Sequence, residues 1–328
     1  MYGDGKAVRT RGGAHALHGG NPVWSHANRH IDLWVELLHG WDFEPIAALP
    51  FTTTLDFEGD QFTSSNIPSV DLERLYGIIK DELSTYGRLE SHVAAQTNRG
   101  NAVLLEVDSF QLPQAPGAYR RQHARACIAI DVLVPEATAV GYYHHDGYHT
   151  ASGDDYLAIF RMPAHETMWG VATFPQAEVV RRRFPGLTED ALLRASLDLL
   201  RGHLARRPRE NPIQAFRAAF PAHLEQLMAR GEPNFQIYAA SVLRQLGANF
   251  ELLGRYVRWL VMQGQTLPDS VAEACYTMAS EAMVMQFRLM RAVISHKPDS
   301  CEDCLEQLEL AYQGTVPALA AHFGETVT

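Results

Sequence analysis

The chain has 328 residues, 46% of them hydrophobic and 20% charged, with a formal net charge of -10 and a pI near 5.8. That is enough chain for two domains of ordinary soluble composition, and the acidic balance argues against nucleic acid, whose phosphates need a basic footprint. No apolar run reaches the length of a membrane span and the N-terminal stretch lacks the apolar core of a signal peptide, so a cytoplasmic protein with no membrane partner is expected.

The first 22 residues are rich in Gly, His and Arg without periodicity and read as a mobile lead-in. From Asn28, the spacing of Ile31, Trp34, Val35 and Leu38 puts apolar groups on one helical face. With Asn28 as N-cap and Gly40 as stop, it predicts a helix over 28–39 whose first turn carries Arg29. Short helices are expected at 71–76 and 88–97. The β-branched apolar run "AVLLEVDSF" predicts a strand over 102–109, and two more are expected at 123–134 and 138–144, with the turn "PEAT" between them.

Beyond Pro175 long helix-periodic segments follow one another, separated by Pro or Gly. The expected class is α+β: a domain over 23–172 with an antiparallel sheet, then an all-helical bundle over 173–328.

A period of two along the strand at 123–134 puts His123, Arg125, Cys127, Ala129 and Asp131 on one face and Ala124, Ala126, Ile128 and Ile130 on the core face. The polar face reads as solvated sheet or as the wall of a cleft. Asp108, in an otherwise apolar strand, needs a partner if buried, with Arg125 and Tyr119 among the candidates. The following strand ends in "YYHHDGYH", which supplies His144, His145, Asp146 and His149.

The segments "NRHIDLWVELLHGWDFEPIAALPFTTTLDFEGDQFT", "LLEVDSFQLP" and "GYYHHDGY" closely resemble a bacterial family, the domain of unknown function 1839, over most of the chain. More distantly, "LLEVDSFQLP" followed by His123 and a polar residue after the next strand is similar to the N-terminal domain of the butirosin-biosynthesis acyltransferase family, over about residues 20–160. That second resemblance implies a papain-like fold. It also implies a Cys, His, Asp/Asn constellation in which a helix-borne cysteine takes an acyl or aminoacyl group from a carrier-protein thioester and passes it to a small amine. On this chain His123 falls on the base and His145 or Asp146 on the orienting group, while Arg29 occupies the nucleophile's position.

An arginine in a first helical turn sits beside unpaired N–H groups that favour negative charge, so Arg29, with Asn28 and His30 beside it, reads as an anion site. The anion would be the phosphate of a phosphopantetheine arm, a substrate carboxylate or a tetrahedral oxyanion. Ser25 precedes the helix and reads equally as a cap. Cys127, about 13 Å along the strand from His123, reads as packing. Asp108 and Glu58 complete the candidate substrate contacts, although "FEGDQF" reads first as a tight turn.

The four cysteines, Cys127, Cys275, Cys301 and Cys304, are too scattered for a disulfide framework. "SCEDC" carries a CxxC at a helix start, where thiol pKa is lowered, but no second ligand pair accompanies it. Between Glu178 and Arg209 eight arginines stand against four acidic residues, either a solvated face or a dock for an acidic carrier protein.

The expected function is transfer from a carrier thioester to an amine without a covalent intermediate and without a cofactor, phosphopantetheine being part of the substrate. Two alternatives stay open. One is a binding module that holds the carrier or its acyl group without turnover. The other is a zinc or other divalent-metal enzyme using His26, His30, His123, His145 and His149.

Overall fold

Helix and strand periods alternate in the first half of the chain and give way to helix alone in the second. In the computed structural model the structure describes residues 13–19, 22–24, 28–115, 117–145, 147–160 and 177–324, with Arg29 described by its backbone only. The first half holds helix α1 (Arg29–Gly40), a 3-10 segment (Pro45–Thr54), hairpin strands β1 (Phe57–Glu58) and β2 (Gln61–Phe62), helix α2 (Ser69–Tyr76), strand β3 (Ile78–Glu82) and helix α3 (Leu89–Thr97). There follow strands β4 (Ala102–Asp108), β5 (Arg125–Val134), β6 (Ala139–His144) and β7 (Gly147–Ser152), helix α4 (Asp154–Phe160) and strand β8 (Ala177–Arg182). Helices α5 (Glu189–Leu204), α6 (Pro212–Arg230), α7 (Glu232–Tyr238), α8 (Arg244–Met262), α9 (Asp269–Ser295), α10 (Glu302–Gln313) and α11 (Val316–Phe323) complete the chain. This is the α+β class, an antiparallel sheet in the N-terminal part and helices after it.

The chain divides into two compact units, one from described residues of 1–19, 29–44 and 72–186, the other from those of 20–28, 45–71 and 187–328. The boundary expected near 172 falls outside the described residues, and the division runs between 186 and 187. The chain also leaves the sheet unit and re-enters it, because residues 45–71 pack with the helices: Asn249 donates to Thr52 O at 2.9 Å and Ser196 Oγ to Ala47 O at 2.7 Å, both buried.

In the sheet unit six antiparallel strands run in the order β3-β8-β4-β5-β6-β7. One face carries Val103, Leu105, Ile128, Ile130, Val140 and Tyr142 into a core shared with Val93 of α3 and Tyr156 of α4. The other face is not solvated sheet: Cys127 and Ala129 are buried, and α1 lies against β5 and β6. β3, β7 and β8 were not legible as strands. β8 carries two arginines and β3 three charged residues, and β8 finds both its neighbours from distant parts of the chain.

α1 is buried on more than the one expected face. Leu33 and Leu37 are fully covered, and so are Asp32 and Glu36, at 2% and 3% exposure. Part of the cover comes from residues 13–19, which are fixed, in contrast to the mobile lead-in expected there. A short 3-10 turn, Ala16–His18, places His18 Nδ1 2.6 Å from Glu36 Oε1 and Nε2 3.5 Å from Asp32 Oδ1, and the His15 N–H donates to Glu36 at 2.9 Å. Two carboxylates one helical turn apart are thus tolerated in the interior because an imidazole bridges them.

In the helical unit α8 and α9 form the longest packed pair. Leu246, Phe250, Leu253 and Val257 of α8, spaced by three and four, and Cys275, Met278, Ala282 and Met285 of α9 are buried. A buried pair, His203 Nε2 to Asp71 Oδ2 at 2.6 Å, adds a polar tie, and Arg206 donates to His203 Nδ1 at 3.0 Å. Among the described residues no helix is long and apolar enough to cross a membrane.

Candidate functional site

β4 and β5 are consecutive antiparallel strands, so the end of the first lies beside the start of the second, and Asp108 pairs in register with Arg125. His123, two residues ahead of β5, puts Nδ1 2.5 Å from Asp108 Oδ2. The other Asp108 oxygen accepts the N–H of Phe110 at 3.0 Å and of Ala124 at 3.2 Å. With Oδ1 taken by two backbone N–H groups, Oδ2 is left to accept from His123 Nδ1–H, which leaves Nε2 as the outward-facing ring nitrogen. The imidazole is held in plane by stacking on Phe110, with centroids 4.5 Å apart and planes 10° apart. The His123 side chain is 57% exposed against 16% for Asp108, an accessible imidazole on a shielded carboxylate.

The connection that carries His123 is itself tied down. Arg120 donates to Asp155 at 2.8 Å and to Gln111 at 3.3 Å, its guanidinium stands over Tyr119 and Phe110, and Tyr119 OH donates to Asp155 at 2.8 Å. Arg125 is paired to Glu106 at 2.5 Å. These ties fix the direction of His123 before any ligand arrives, the condition for positioned acid–base chemistry.

Of the two orienting groups expected, His145 is not beside His123, whose ring is held by Asp108. The β5–β6 register, Ala129 against Tyr143, sets His145 level with Cys127 and leaves His123 about 13 Å further along. His145 lies in the β6–β7 turn with φ 49°, its ring 4.0 Å from that of His144, and His149 donates through Nε2 to His144 O at 3.2 Å. His144, the first histidine of that stretch, is the buried member, donating through Nδ1 to Cys127 O at 3.0 Å. Asp146, His26, Ser25 and the side chain of Arg29 lie outside the described residues.

His30 sits half-buried in the first turn of α1. Asn28 and Glu58 belong to the helical unit. Asn28 donates to Ser65 O at 2.8 Å, and Glu58 is exposed beside Gly59, φ 69°, in the β1–β2 turn. That turn supports the structural reading of "FEGDQF". Among the described residues no three His, Cys, Asp or Glu side chains are grouped to hold a metal ion.

All four cysteines are buried. At the CxxC burial overrides the helix-start location: it pushes the Cys301 thiol up to about 12 and the Cys304 thiol up to about 11, although Arg288 lies within 3.4 Å of Cys304 Sγ. The arginine run is largely engaged. Arg181 pairs with Asp81 and Arg201 with Asp198, Arg182 covers Trp41, and Arg207 donates to Leu204 O.

The sequence marks Asp108 as a charged residue in an apolar strand with Arg125 and Tyr119 among its candidate partners; the structure pairs it with His123 and adds Phe110, Arg120 and Asp155, which the sequence does not single out. The available signal was adjacency, because consecutive strands usually pair and bring the residues flanking their connection together.

Compared with known proteins, the chain matches the DUF1839 N-terminal domain over residues 13–182 and the DUF1839 C-terminal domain over residues 189–321. No curated protein matches it. The first match begins at the residue where the described structure begins and ends with the last strand of the sheet, and the second spans the helices, so the chain belongs to the DUF1839 family.

Proposed function

We propose that the protein transfers an acyl or aminoacyl group from a carrier-protein thioester to a small amine, with His123 as general base and Asp108 as its orienter. The observation that carries this reading is the 2.5 Å Asp108–His123 pair with its exposed imidazole. In the reaction the amine nitrogen attacks the thioester carbonyl while His123 Nε2 takes an amine proton. The tetrahedral intermediate then collapses with cleavage of the C–S bond, and the imidazolium returns a proton to the departing thiolate.

No cysteine needs to be acylated, since a thioester is already activated. The burial of all four cysteines and the presence of Arg29 at the position where the resembled family carries its nucleophile favour direct transfer. An acidic carrier protein as donor and a cytoplasmic setting belong to the same reading.

The test is incubation of the purified protein with an acyl-carrier thioester and a panel of small amines, following the carrier by intact mass. Amine-dependent loss of the acyl group, slowed about 10²–10⁴-fold in His123→Ala, is the expected result. Loss of the acyl group at the same rate in His123→Ala would overturn the proposal, and binding of the acyl-carrier without any loss would favour a carrier-binding module instead.

A further inference from the structure

The segment Arg120–Arg125 is exposed throughout, and in a chain of net charge -10 it places three arginines and a histidine within six residues. Two of the arginines are spoken for, Arg120 by Asp155 and Arg125 by Glu106. Arg121 is different: among the described residues its side chain has no hydrogen-bond or ion-pair partner. It is nevertheless not on a loose loop. Its N–H and that of Gln122 both reach Ala118 O at 2.9 Å, and the Arg120 N–H donates to Phe110 O at 3.1 Å.

Arg120 itself has φ 55°, a left-handed backbone that a long side chain adopts only when its surroundings impose it, and such strain gathers at ligand sites. The stack of His123 on Phe110 fixes the other side of the patch. Two residues of chain span at most about 7 Å, so the Arg121 guanidinium can reach a group hydrogen-bonded to His123 Nε2.

We propose that Arg121, beside the fixed Arg120 and the open ring nitrogen of His123, forms an oxyanion subsite that receives a phosphate or carboxylate group of the substrate. The guanidinium fork matches two oxygens of either group. Arg120, already held by Asp155 and Gln111, adds field, while Arg121 supplies uncommitted donors. The identity of the ligand rests on the acyl-transfer reading: a phosphodiester belongs to the pantetheine arm of a carrier, and a carboxylate to an acyl or amine substrate.

Direct binding separates this inference from the reaction. The full-length protein is titrated at low salt with inorganic phosphate and, separately, with acetate, following the His123 ring signals by NMR. Saturable shifts with either anion, weakened about ten- to a hundredfold by Arg121→Ala and partly restored by Arg121→Lys, are expected. Because Arg121 is exposed, the Ala variant should melt with the parent, which confirms that any loss is local. Pantetheine 4'-phosphate binding more tightly than pantetheine would identify the phosphate of the arm, and acetate binding without phosphate would identify a carboxylate. No shift with either anion, or equal affinity in Arg121→Ala and parent, overturns the subsite. That result would leave acyl transfer standing if the amine-dependent reaction still requires His123, and anion binding without any transfer would leave the subsite standing alone.

Discussion

Asp108 and His123, fifteen residues apart in sequence, meet at 2.5 Å because the strand that ends at one and the strand that begins just after the other are antiparallel neighbours. The carboxylate does two jobs with its two oxygens. One accepts the N–H groups of Phe110 and Ala124 and shapes the turn out of β4, and the other fixes the imidazole tautomer.

That division predicts a separable pair of effects. Asp108→Asn keeps the backbone hydrogen bonds through its amide oxygen but turns an N–H group toward His123, so transfer should fall by two or more powers of ten with little loss of stability. Asp108→Ala should also destabilise the sheet unit by about 1–3 kcal/mol through the unsatisfied turn N–H groups. Single-turnover rates and thermal melts of the two variants check it, and equal melting temperatures for Asn and Ala would contradict the structural half.

Burial alone would lower the His18 pKa, but hydrogen bonds and the charges of Asp32 and Glu36 overcome it and raise the group from 6.5 to about 9. A pKa raised on folding means that the stabilising contribution is complete below about pH 6.5 and disappears as pH rises through about 9. Thermal melts from pH 6 to pH 10 should therefore show a decline at the alkaline end that His18→Gln abolishes. His18→Ala, which leaves both buried carboxylates without the bridging imidazole, should cost about 3–5 kcal/mol at neutral pH.

Gly40 ends α1 against the ring of Tyr143, and a Cβ there would overlap the Tyr143 hydroxyl and ring carbons. Tyr143 is buried at 2% exposure and has little room to move aside. Gly40→Ala should therefore destabilise by about 1–3 kcal/mol, although alanine is the better helix former, and calorimetric unfolding would show the sign.

Burial pushes Cys301 up to about 12, Cys304 up to about 11 and Cys275 up as well. At pH 8 the thiolate fraction of Cys304 is then about a hundredth of that of an ordinary exposed cysteine, before any steric protection. In the native protein these three should label slowly with a disulfide reagent such as DTNB, and after denaturation all four cysteines should react at once. Rapid native labelling of Cys301 or Cys304 would reopen a redox role for the CxxC.

Periodicity alone determined much of the plan. The spacing from Ile31 to Leu38 and the alternation from Ala124 to Ile130 are local signals, each readable within one element, and they produce α1 and β5 within a residue or two, as the later periodicity produces an all-helical run after residue 187. His123 was visible for the same reason, as a polar residue where an apolar strand begins. Local patterns could not say that β8 would pair with both β3 and β4, that residues 45–71 would pack with helices more than a hundred residues later, or that His18 would bury Asp32 and Glu36. Nor could they choose Asp108 over His145 as the partner of His123. Those outcomes depend on contacts between segments distant in sequence. Which carboxylate reaches an imidazole is set by strand register and by the path of the connecting chain, neither of which is written in the period of any single element.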